Sequence, residues 1–100
     1  MLILSRAVDE SIVIGSDLFV TPTDVDERSA RVLARGTMLG GPDDGARFDA
    51  VHELSVGQSF HVGPMIVVTL VEVRGGFAGL GVLAPKSMSV RRKEVVDDAA

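Results

Sequence analysis

Shifted by 48 positions, the sequence lies over itself without a gap. Val8-Asp9-Glu10-Ser11-Ile12-Val13-Ile14-Gly15 falls on Val56-Gly57-Gln58-Ser59-Phe60-His61-Val62-Gly63. The register continues with Val20-Thr21 on Val68-Thr69, Val25 on Val73 and Ala30 on Ala78. Similar composition alone is the competing explanation, since two β-rich segments can look alike by chance. A constant offset from Val8 to about Ala34 favours a true duplication, because a repeated unit stacks or pairs with its own copy to close one core. The pseudo-repeats span about 8–34 and 56–82, with a linker at about 35–55, in one domain of 1–100.

Each repeat reads as a three-stranded meander. Ser11–Ile14, Leu18–Val25 and Ala30–Arg35 are β-branched or alternating runs, separated by Gly15-Ser16-Asp17 and Asp26-Glu27-Arg28-Ser29. Pro22 argues for an edge or a bulge, since it brings no N–H to a ladder. In the second copy the strands are Gln58–Val62, Met65–Val73 and Phe77–Leu83, with turns at Gly63-Pro64 and Gly75-Gly76. Met65–Val73 is the most apolar run and the expected central strand. The segment from Gly36 to Arg47 is loop-like, and Phe48–Leu54 is ambiguous. Helical periodicity is poor except over Lys93–Ala100, which is long enough for a turn or two. Many short strands imply an all-β fold, a small antiparallel sandwich or barrel.

Composition narrows the function. The chain has 100 residues, no cysteine and a net charge of −4. There is no disulfide framework and no thiol nucleophile, and any nucleic-acid contact must come from a local patch. With four Phe and no Trp or Tyr, a broad base-stacking platform is not expected. The apolar start MLILSR is too short for a signal or spanning segment, so a cytoplasmic protein without membrane contact is expected. His52 and His61 lack partners at metal-ligand spacing. Asp24, Asp26 and Glu27 lack the glycine and closing glutamate of a calcium loop. No nucleophile–base pair or carboxylate dyad stands out, so neither an enzyme nor a cofactor is expected.

The two ends stand outside the repeat. Met1–Arg6 is an apolar strand ending in arginine, and Gly81–Val95 (GVLAPKSMSVRRKEV) carries the one dense basic run, Arg91-Arg92-Lys93. In an extended strand Ser87, Ser89, Arg91 and Lys93 share one face, and Met88, Val90 and Arg92 the other.

These ends carry a family resemblance. MLILSR followed by VDESIVIG resembles the start of the carbon storage regulator (CsrA/RsmA) family, and GVLAPKSMSVRRKEV is similar to its basic end. The resemblance covers nearly all of the chain except about 35–55. It implies small interlocking β proteins that bind GGA-containing loops or single strands of messenger RNA leaders, or small regulatory RNAs, and so control translation. It implies an RNA site built from Leu4 and Arg6 of the first strand, Ala84, Pro85 and Lys86 before the last, and Val90, Arg91 and Arg92 within it. Arg92 stands at the family's most important arginine, and Arg91 replaces a commoner histidine.

The departures are informative. Family members are homodimers of shorter chains, whereas here two meanders share one chain. The first copy lacks a last strand, and the second lacks a MLILSR-like strand, with Leu54 where Arg6 would recur. We expect a fused, monomeric pseudo-dimer with one RNA site, in preference to a homodimer with two. The alternative is a protein-interaction module that kept the fold and lost RNA binding.

Overall fold

The computed structural model describes residues 1–38, 40–42 and 44–93. The expected helical turn over 93–100 lies almost wholly outside the described residues. Nine strands follow one another: β1 (Leu2–Arg6), β2 (Ile12–Ile14), β3 (Leu18–Val25), β4 (Ser29–Thr37), β5 (Arg47–Ser55), β6 (Ser59–Val62), β7 (Ile66–Arg74), β8 (Phe77–Leu83) and β9 (Val90–Arg92). They form two antiparallel sheets, ordered β1-β8-β7-β6 and β5-β4-β3-β2-β9. The protein is an all-β sandwich, and each sheet mixes strands from both halves of the chain.

Period-two patterning creates the two layers. In β4, Ala30, Val32 and Ala34 are buried while Arg31 and Arg35 are exposed; in β7, Ile66, Val68 and Leu70 are buried in the same way. Stacking the apolar faces, with β7 over β4 and β8 over β3, makes one core that includes Ile12, Ile14, Leu18, Val20, Leu70 and Leu80. Each such side chain taken fully from water contributes about 1.5–3 kcal/mol.

The two halves repeat each other down to single hydrogen bonds. Asp9 N donates to Pro22 O at 2.8 Å, and 48 residues on Gly57 N donates to Leu70 O at 2.7 Å. Ala7 N binds Glu10 Oε1 and Ser55 N binds Gln58 Oε1, both at 2.8 Å. The Ser11–Thr21 hydroxyl pair recurs as Ser59–Thr69, both at 2.6 Å. The β3–β4 register shifts between Pro22 and Asp24, and the β7–β8 register between Leu70 and Glu72. Pro22 therefore sits at a bulge of an internal strand.

Three expectations need correction. The stretch 35–55 is not a linker throughout: β4 runs on to Thr37, and β5 pairs with β4 along its whole length. Nor has the second copy lost its first strand. Leu54 pairs with Ala30 as Arg6 pairs with Ala78, so β5 occupies the place of β1 at the constant offset. Its inward residues, Phe48, Ala50, His52 and Leu54, alternate with exposed ones, but its outward Val51 and inward His52 blur that pattern in the sequence. The final strand is also shorter than expected. Pro85 to Ser89 is a crossover between the sheets, with a turn closed by Met88 N on Pro85 O at 2.9 Å, and β9 begins only at Val90.

The missing strand is at β6. β9 pairs with β2, but no described strand pairs with the equivalent edge of β6. His61 is consequently exposed rather than half-buried, whereas Val13, its counterpart, is 1% exposed.

Candidate nucleic-acid interface

The strands that carry the predicted site residues lie at edges of different sheets. β1 pairs only with β8, and β9 only with β2. They do not pair with each other; they meet across the sandwich. With β8 over β3, β1 comes to lie on the side of β2 and β9. The junction is the Ser11 carbonyl just before β2. It accepts a hydrogen bond from the Arg6 guanidinium (Nη1) at 3.2 Å and one from the Lys93 backbone N–H at 3.0 Å. One acceptor ties the end of the first strand to the end of the last.

Arg6 is enclosed there, only 4% exposed. Its Nε donates to Ser5 O at 3.1 Å and its Nη2 lies 3.6 Å from Glu10 Oε1. Burial of a guanidinium requires such partners, since a lone buried charge costs several kcal/mol. Glu10 in turn is held by Ala7 N across the turn that closes at Glu10 N and Ala7 O (3.0 Å). Asp9, at φ 70°, makes the left-handed step in that turn. The family resemblance implies Arg6 as a residue of the RNA site. In the structure it is a brace between β1 and β2.

The other predicted residues divide by face. Leu4, Ala84 and Val90 are partly buried and pack against the core, so they shape the opening from beneath. Pro85 is half-buried and Lys86 exposed in the crossover. Arg91 and Arg92 are both exposed and, as neighbours in a strand, point to opposite faces. Arg92 shares parity with Val90 and so faces the opening between the sheets. Arg91 faces outward, where its Nη2 donates to Gly15 O at 3.4 Å. The opening thus brings together Leu4, Arg6, Val90 and Arg92, while Arg91 stands on the far side of β9. Ser11 was missed in the sequence because it acts through its carbonyl, a group every residue has.

The pseudo-equivalent opening between β5 and β6 has different contents. The His52 ring stacks on Phe60, centroids 4.0 Å apart and 4° from parallel. Leu54, at the position of Arg6, is buried. At the 48-residue offset Leu54 stands for Arg6, His52 for Leu4 and Phe60 for Ile12, and no described strand stands for β9.

A cavity of about 470 Å³ elsewhere is lined by Asp24, Asp26, Arg31 and Glu53. The 2.6 Å hydrogen bond from Arg31 to Glu53, with their mutual attraction, raises the Arg31 pKa further. Its acidic lining suits no polyanion.

No solved structure matches this chain. Residues 54–100, from the end of β5 through β9, match the family described as CsrA, the global regulator protein family. The matched segment holds the crossover and basic strand of the opening, and the hydrogen-bond repeat ties the first half to the same pattern. The second half of the chain is thus similar to the CsrA/RsmA family, a family of global regulators.

Proposed function

We propose that this protein is an RNA-binding post-transcriptional regulator that reads GGA-containing loops or single strands of messenger RNA leaders, or of small regulatory RNAs, through one composite site at the β1/β9 opening. The observation that carries this is the convergence of β1 and β9 on the Ser11 carbonyl. Exposed Arg92 on β9, partly buried Leu4 and Val90, and exposed Lys86 in the preceding crossover support this reading, in a chain of net charge −4.

The chemistry fits guanine in an unpaired loop. A guanidinium fork matches the O6 and N7 acceptors of guanine, and RNA bases are accessible where they are unstacked. Arg92 takes the base-reading role. Main-chain groups of Ala84, Pro85 and Lys86 read base edges, and Lys86 and Arg91 hold phosphates. Arg6 acts one step back, holding β1 against the Ser11 carbonyl so that the opening keeps its shape. One chain supplies both edges, so the working unit is a monomeric pseudo-dimer with a single site, in the cytoplasm, where messages are translated.

A second reading, a protein-interaction module without RNA binding, is favoured by the stacked His52–Phe60 pair at the opposite opening and by exposed Met1, Ile3 and Leu83 on the four-stranded sheet. A gel-shift titration separates the two. A GGA hairpin binds and the same hairpin with CCA in its place does not. Equal failure of both RNAs at low salt eliminates the regulator reading and leaves the module.

A further inference from the structure

The two sheets share a framework, yet their outward faces have opposite chemistry. On the five-stranded sheet the register sets Arg35, Phe19, Val13 and Arg91 side by side across four strands. The next outward row holds Leu33 and Thr21, with Ser11 bonded to Thr21. The same positions on the four-stranded sheet are Leu83, Val67 and His61, then Gly81, Thr69 and Ser59. None of these is a lysine or an arginine. Solubility alone therefore does not require cations at these places, because the equivalent positions on the other sheet lack them.

The cationic face is also shaped. A recess of about 430 Å³ is lined by Phe19, Thr21, Leu33, Arg35, Arg47 and Lys93 among others. Val13 is almost fully buried yet lies outside the core cluster, so it is covered from this outer side, between Phe19 and Arg91. Among the described residues, Asp17 lies 3.6 Å from Arg47 and Asp49 is the register partner of Arg35. Arg35, Arg47, Arg91 and Lys93 outnumber them.

β9 is common to this face and to the opening. Arg92 points to the opening, Arg91 has the opposite parity, and Lys93, just past the end of β9, lines the recess. We propose, on the basis of the RNA-binding function above, that the outward face of the five-stranded sheet is a second RNA subsite. It takes the single-stranded nucleotides flanking the GGA element as the strand passes round the edge of β9. Arg35, Arg91 and Lys93 hold phosphates, and one base stacks on Phe19, a contact that tolerates any sequence.

The test compares a minimal GGA hairpin with the same hairpin carrying single-stranded tails on both sides. Binding is measured for the wild type, Phe19→Leu, Arg35→Gln and Arg92→Ala, each checked for folding by circular dichroism. In the wild type the tails raise affinity by about tenfold. Phe19→Leu and Arg35→Gln remove most of that gain and leave the hairpin affinity within about twofold; Arg35→Gln also lowers the salt slope by about one. Arg92→Ala weakens both RNAs together. Because Phe19 is half-buried, exposed Arg35 supplies the variant least able to disturb the fold. Tails that add nothing in the wild type, or a gain that survives both variants, overturn the subsite and leave the opening intact. A wild type that binds neither RNA overturns both proposals.

Discussion

Two arginines of the opening have opposite fates. Arg92 is exposed, and under the proposed function it contributes only when RNA is bound. Arg92→Ala should weaken binding of a GGA hairpin by about 1–3 kcal/mol, roughly one bidentate base contact, and leave the melting temperature nearly unchanged, as surface substitutions do. Arg6 is buried and already committed to the Ser5 and Ser11 carbonyls and to Glu10. Arg6→Ala removes those bonds and the packing of a buried side chain, so it should destabilise the fold by about 1–3 kcal/mol, read as a lower urea midpoint. Its effect on RNA binding then follows from a displaced β1. A stability unchanged in Arg6→Ala would refute the brace.

Strand pairing depends on close approach at a few places. Gly36, near the end of β4, has φ +144°, and an added Cβ would sit 2.2 Å from the Asp17 carbonyl oxygen. No side chain fits there without moving the β2–β3 turn, where Asp17 also accepts a 2.6 Å hydrogen bond from Thr37. Gly45 has a similarly left-handed φ, +85°, but nothing within 4 Å of its added Cβ. Gly36→Ala should therefore cost clearly more than Gly45→Ala, which bears only backbone strain of about 1 kcal/mol; comparing the two unfolding curves checks this. The edge elements differ in the same concrete way. β2 is covered by β9 and buries all three of its residues, while β6 has no partner on its outer edge among the described residues and leaves Ser59 and His61 exposed.

At the scale of the whole molecule, each sheet needs strands from both halves of the chain, and one chain provides them. Its radius of gyration, 12.6 Å, matches the ~13 Å of a compact domain of this length. Light scattering should give the mass of one chain, and RNA titration should saturate at one hairpin per chain. A tight dimer binding two hairpins would contradict the fused arrangement. Under the proposed function, Leu54 at the place of Arg6 and the absence of a described strand at the outer edge of β6 are the physical reasons to expect a single site.

Much of this was legible in the residues. The 48-residue offset, the alternation in β4 and β7, the Gly75-Gly76 turn and the bulge at Pro22 are local properties, set by side-chain parity and backbone freedom among neighbours in the chain. The sequence by itself therefore determined an all-β, internally repeated protein with one basic strand. Tertiary structure alone decided the rest. Arg47–Ser55 became a strand because β4 offers it a full ladder, which no pattern within those residues reveals. Arg6 became a brace because folding brings the Ser11 carbonyl to it. Arg91 and Arg92, adjacent and chemically alike in the sequence, were divided between an outer face and an opening by the pleat of β9 and the sheet it joins.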